Sequence, residues 1–125
     1  MNALIVEDDV EVRRLLRTIL ATSGYPFEII EAGSGTDALA LVRQHLPDVV
    51  LLDLFLPGLD GLQVCRQIKA DPATARVPVV LITVETEQGE KERAREAGAE
   101  AYLTKPFSPQ RLIRMLEQLL GLGPA

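Results

Sequence analysis

Five polar residues, Glu7, Asp8, Asp53, Thr83 and Lys105, are of types that can move a phosphoryl group, and each sits where an apolar run has just ended. Three carboxylates drawn together would repel one another at neutral pH, so positive charge must lie among them. Lys105 supplies one cation, and a hard divalent ion with oxygen ligands can supply the rest. With only two or three carboxylates to offer, Mg²⁺ (or Mn²⁺) keeping several waters suits the set better than a fully caged Ca²⁺. Without clustered His or Cys, zinc is disfavoured. A carboxylate beside an ammonium and a metal is a nucleophile toward phosphorus and yields an aspartyl phosphate. Lys105 offsets charge on the transferring oxygens, and the Thr83 hydroxyl can donate to one of them. Asp53 is the best nucleophile, because it ends the central apolar run, with the acids Glu7 and Asp8 on one side and Thr83 on the other. Alone, an Asp after such a run is ordinarily a turn or cap residue; the conjunction carries the argument.

The elements that must position these groups alternate strictly in kind. Ala3 to Val6 reads as a strand, followed by a helix with Val12, Leu15, Leu16, Ile19 and Leu20 on one side and Gly24 as its C-terminal cap. Asp9 is its N-cap. Phe27 to Ile30 is a second strand, and Ser34 with Asp37 opens a helix that runs to Pro47. Val49 to Leu52 has no polar alternation, the pattern of a parallel strand covered on both faces. A turn through Pro57, Gly58 and Gly61 leads to a third helix bearing Leu62, Val64, Cys65 and Ile68. Val77 to Ile82 is a fourth strand. A very polar helix from about Glu87 to Ala97, with Glu90, Lys91, Glu92, Arg93 and Arg95, reads as a solvated face. Ala101 to Leu103 is a fifth strand, and Ser108 with Pro109 starts a last helix. Five strand-helix pairs predict an α/β fold with a parallel sheet between helices. In such sheets ligands bind at the carboxyl ends of the strands, so the five polar residues converge on one edge. Only the second strand contributes nothing obvious there.

Composition narrows the rest. The length suits one domain, and 47% hydrophobic residues suffice for its core. A formal net charge of −5 disfavours direct binding to nucleic acid or an anionic membrane. No run approaches the roughly 18 to 20 apolar residues of a membrane span. A single cysteine, Cys65, reads as a buried small hydrophobe in a reducing, cytoplasmic setting. Lone His45 lies near the end of the second helix, where a cation is favourable.

Together the segments Leu4 to Asp9, Leu51 to Gly61, Pro78 to Thr83, Gly98-Ala99 with Tyr102, and Lys105-Pro106-Phe107 resemble the receiver domain of two-component response regulators over nearly the whole chain. The resemblance implies a single doubly wound, flavodoxin-like (βα)5 domain over residues 1–120, in strand order 2-1-3-4-5, with 121–125 a tail or the start of a linker. It implies that Asp53 is the phosphoacceptor. Asp8 is then a direct metal ligand, Glu7 a ligand through water, and the Phe55 backbone carbonyl a further ligand. Lys105 contacts the phosphoryl group and precedes a cis peptide at Pro106. Thr83 and Tyr102 form the pair that changes position on phosphorylation. The implied partners are a histidine kinase or histidine phosphotransfer protein, a downstream effector protein or fused domain, and a second copy in a phosphorylation-dependent dimer. The chain would modify itself and lose the group slowly, without turning over a substrate.

Val84 stands where the family usually has Ala or Gly, and its branched side chain is expected to narrow access to Asp53. Bulky Phe55 reads equally as a screen of the acyl phosphate from water and as a partly exposed loop aromatic, and Glu85 is grouped with these two as a residue governing access and lifetime. A phosphohydrolase of the haloacid dehalogenase type is the enzymatic rival, but its nucleophile ends the first strand with a second Asp two residues on, where this chain has Glu7-Asp8-Asp9-Val10. A flavodoxin-like cofactor binder needs donors where this chain puts acids. A degenerate receiver serving only as scaffold conflicts with the intact set of polar residues.

Overall fold

The missing polar alternation of Val49–Asp53 has its cause in the sheet: all five residues are buried between helices on both faces. The computed structural model describes residues 1–84 and 89–123. Its elements are β1 (Asn2–Val6), α1 (Val10–Ala21), β2 (Glu28–Ala32), α2 (Gly35–His45), β3 (Val49–Asp53), α3 (Gly61–Ala70), β4 (Val79–Val84), α4 (Glu90–Glu96), β5 (Ala101–Lys105) and α5 (Pro109–Leu120). The strands are all parallel, in the order β2-β1-β3-β4-β5. This is the expected doubly wound, flavodoxin-like α/β arrangement.

Alternate residues of the inner strands feed two cores. Leu4, Val6, Val50 and Leu52 face the layer that includes Ala38 and Val42 of α2, Val64, Cys65 and Ile68 of α3, and Ala94 of α4. Ala3, Ile5, Val49 and Leu51 face Leu16, Ile19 and Leu20 of α1 and Leu112 and Leu116 of α5. Each large side chain so buried contributes about 1.5–3 kcal/mol. That burial holds the end of β3, and with it Asp53, in a fixed place.

Local chemistry sets most helix starts where the sequence predicts them. Asp9 accepts from the Glu11 and Val12 N–H groups, Ser34 from Asp37 and Ser108 from Arg111. Asp60 and Gln63 close a capping box on α3. The thiol of Cys65 is buried, donates to the Ala97 carbonyl at 3.5 Å, and burial pushes its pKa up to about 11.

Several boundaries differ. Helix α1 ends at Ala21 with Thr22 as its cap, not Gly24, because the Thr22 and Ser23 hydroxyls bond the carbonyls of Thr18 and Leu20 at 2.8 and 2.7 Å. Strand β2 starts at Glu28 rather than Phe27, whose N–H is taken by the Tyr25 carbonyl, and it runs on to Ala32 in register with Val6. Strand β4 begins at Val79, since Val77 closes a turn onto Thr74 and Pro78 has no N–H to give. Strand β5 continues past Leu103 to Lys105, paired with Val84. Glu90, expected on a solvated face, is buried in the first turn of α4, on the same side as buried Ala94 one turn on; an acid is favoured at a helix N-terminus. Glu87, the expected start of that helix, and Glu85 lie outside the described residues.

Candidate functional site

Strands β1 and β3 are neighbours, with Val6 level with Leu52, so the residues that follow them come together. One carboxylate oxygen from each of Glu7, Asp8 and Asp53 lies within 4.8 Å of the others. Glu7 and Asp53 are buried, at 2% and 8% exposure, and Asp8 is exposed. Lys105 reaches in from the end of β5, its Nζ 3.2 Å from Glu7 Oε1 and 3.7 Å from Asp53 Oδ2. The Lys105-Pro106 peptide is cis.

The Asp53 carboxylate is held by its own loop, through a hydrogen bond from the Phe55 N–H to Oδ1 at 3.2 Å. That loop folds back because Gly61 N–H donates to the Leu54 carbonyl at 2.8 Å. A Cβ on Gly61 would come within 2.3 Å of the Asp53 carbonyl oxygen, so only glycine permits the approach.

Glu7 carries the electrostatic signature of the site. Burial first, then a side-chain hydrogen bond and repulsion from Asp53, push its pKa up to about 7, against the opposing pull of the Asp9 N–H and Lys105. A carboxylate raised in this way marks a place short of positive charge. Three hard oxygen donors gathered there fit a small divalent cation such as Mg²⁺.

Of the predicted residues, Glu7, Asp8, Asp53 and Lys105 are brought together, with the Phe55 main chain beside them. Thr83 lies on the adjacent strand, fully buried, its hydroxyl donating to the Val84 carbonyl at 3.4 Å. Tyr102 is partly buried against the core on the α2, α3 and α4 side. The Phe55 and Val84 side chains are each 53% exposed. His45 is exposed at the end of α2, by the opposite edge of the sheet from Asp53.

Two residues of this region, Arg13 and Glu31, have no role in the site that the sequence predicts. Arg13 Nη1 donates to the Glu7 carbonyl at 3.0 Å, and its Nε stands 3.4 Å from Glu31 Oε1. Strand β2 therefore does contribute to the site, at one remove. The available signal was the pair Arg13 and Arg17, one helical turn apart just after the acids, with Glu31 a single acid near the end of the second strand.

Among the described residues no helix is long and apolar enough to cross a membrane. A family model for the response regulator receiver domain matches residues 3–117. The polar-differentiation response regulator DivK of Brucella ovis is 39% identical over 120 residues, 96% of each chain. A response regulator structure from Chloroflexus aurantiacus is 36% identical with a TM-score of 0.89, covering 96% of this chain and 97% of that one. The receiver domain of a sensor histidine kinase from Pseudomonas aeruginosa, solved with a magnesium ion coordinated in its active site cleft, is 31% identical with a TM-score of 0.87 and the same coverage. A match of this extent, on a chain whose strand ends gather the acids and the lysine, means that it belongs to the response regulator receiver domains, the signalling switches that work with histidine kinases or phosphotransfer proteins in two-component systems.

Proposed function

We propose that Asp53 accepts a phosphoryl group from a partner phosphohistidine, and that residues 1–120 form the switch while 121–125 are a tail or linker start. A carboxylate oxygen of Asp53 attacks phosphorus; the new P–O bond forms as the P–N bond breaks, and the bonding pair returns to the imidazole nitrogen of the partner. The observation that carries this reading is the placement of the Asp53 carboxylate, 8% exposed, with Lys105 Nζ 3.7 Å from Oδ2 and the Phe55 N–H on Oδ1. One oxygen is thus oriented by the chain while the other lies beside a cation.

Asp8 and Asp53, with the Phe55 carbonyl and with Glu7 through water, would hold Mg²⁺ (or Mn²⁺), which would supply positive charge against the phosphoryl oxygens. Lys105 turns from Glu7 to a phosphoryl oxygen, and the Thr83 hydroxyl leaves the Val84 carbonyl to donate to another. The dianionic product biases a two-state equilibrium of the surface formed by α4, β5 and α5, in which Tyr102 changes position with Thr83. That surface then changes its preference for an effector or for a second copy. Val84 and Phe55 narrow the approach to Asp53, and with Glu85 set how long the group stays.

The test is intact-mass measurement after incubation with a small acyl phosphate and Mg²⁺. Wild type gains one phosphoryl group, a chelator prevents it, and Asp53→Asn gains none. Gain of the group by Asp53→Asn would falsify the assignment.

A further inference from the structure

Arg13 sits at the back of the acidic site, and the phosphoryl-transfer reading makes no use of it. Its guanidinium spans two elements: Nη1 bonds the Glu7 carbonyl at 3.0 Å and Nε faces Glu31 Oε1 on β2 at 3.4 Å. The other oxygen of Glu31 accepts from Arg17 Nη1 at 2.8 Å, so two arginines one turn apart on α1 clamp one carboxylate. Nη1 also lies so near Gly33 that a Cβ there would stand 3.1 Å from it. The Arg13 side chain is only 23% exposed, which shields these contacts better than a surface pair is shielded.

The carbonyl that Arg13 holds belongs to the peptide joining Glu7 to Asp8. A peptide is planar, so fixing its oxygen fixes the direction in which the chain leaves β1 and presents Asp8. Asp8 is the exposed member of the three carboxylates, and among the described residues no hydrogen bond or ion pair holds its side chain. Its aim toward Asp53 therefore comes from the main chain.

We infer that Arg13, clamped by Glu31, is a positioning residue of the cation site, acting through the Glu7-Asp8 peptide to keep the Asp8 carboxylate directed at Asp53. The inference rests on the reading of Glu7, Asp8 and Asp53 as the divalent cation site. Residues one step behind metal ligands typically set affinity by ten- to a hundredfold.

Calorimetric titration of the whole chain with Mg²⁺ is the test, with the metal-free unfolding midpoint measured alongside. Arg13→Met keeps an unbranched apolar stem but lacks the guanidinium and so removes both bonds, and is expected to bind Mg²⁺ about tenfold more weakly. Arg13→Lys, which can reach one acceptor at a time, falls between. Glu31→Gln leaves Arg13 in place with a weaker clamp and loses a smaller factor; it carries the test alone should Arg13→Met fail to fold. A purely structural Arg13 would lower the metal-free midpoint and leave the Mg²⁺ affinity of the folded protein unchanged, and that result in Arg13→Met, or in Glu31→Gln when it stands alone, overturns the inference. Failure of wild type to bind Mg²⁺ overturns the cation-site reading together with it, whereas equal binding by wild type and variants overturns the positioning role only.

Discussion

Lys105 Nζ lies nearer to Glu7 Oε1, at 3.2 Å, than to Asp53 Oδ2, at 3.7 Å, so its nearer carboxylate is one that it would have to leave when a phosphoryl group arrives. Glu7 is buried, and among the described residues Lys105 is the side-chain cation paired with it against Asp53 and Asp8. Lys105→Met is therefore expected to lose about 1–3 kcal/mol of stability at pH 8, the penalty of a buried charged group left without its partner. At pH 6 the loss is smaller, because Glu7 then takes up a proton. Urea unfolding at the two pH values measures this, and an equal loss at both would refute it.

Glu7 alone should give the metal-free protein a pH dependence of definite sign. Its carboxyl has a pKa of about 7 when folded, against 4.5 as the ordinary value. Between those values the native chain holds a proton that the unfolded chain has released, so stability falls as pH rises through the window, by at most about 3 kcal/mol, and this contribution levels off above pH 7. Glu7→Gln removes that slope. Since a bound cation competes with the proton, stabilisation by Mg²⁺ should grow over the same range. An identical slope in wild type and Glu7→Gln would show that another group is responsible.

Val84, the last residue of β4, and Phe55, two residues past the end of β3, are each about half exposed to solvent. Val84→Ala should speed both phosphorylation by a small acyl phosphate and loss of the group, several-fold in each direction. Stopped-flow and phosphate-release measurements decide the matter; unchanged rates would remove Val84 from any role in access.

Gly61→Ala tests the loop rather than the site. The added methyl would meet the Asp53 carbonyl oxygen at 2.3 Å and the Leu54 Cα at 2.7 Å, both backbone atoms that cannot swing away. Loss of about 1–3 kcal/mol is expected, as for overpacking in general, with slower phosphorylation because Asp53 is displaced. A variant as stable and as reactive as wild type would contradict the close approach.

What was legible in the sequence was local. Caps such as Asp9, Ser34 and Ser108 act on N–H groups two or three residues away, and the uninterrupted run before Asp53 needed only its own residues to be read. Helix α1 is shorter than its apolar pattern predicts because two hydroxyls, Thr22 and Ser23, end it before the glycine does. Strand β4 shifted because a turn onto Thr74 and the missing N–H of Pro78 delay pairing. The Arg13 to Glu31 contact depends on β2 lying beside β1 and on its continuing to Ala32, neither of which local pattern states. The acids and Lys105 were found because strand ends converge in any parallel α/β sheet.

The most direct test of the account is to find where the phosphoryl group resides. After exposure to a small acyl phosphate and Mg²⁺, borohydride reduces an aspartyl phosphate to homoserine, and peptide sequencing locates it. The account predicts homoserine at position 53 and nowhere else, with Mg²⁺ required. Homoserine at Asp8 or Glu7's reduced counterpart at position 7, or an unmodified residue 53 in a chain that has gained the group, would contradict it.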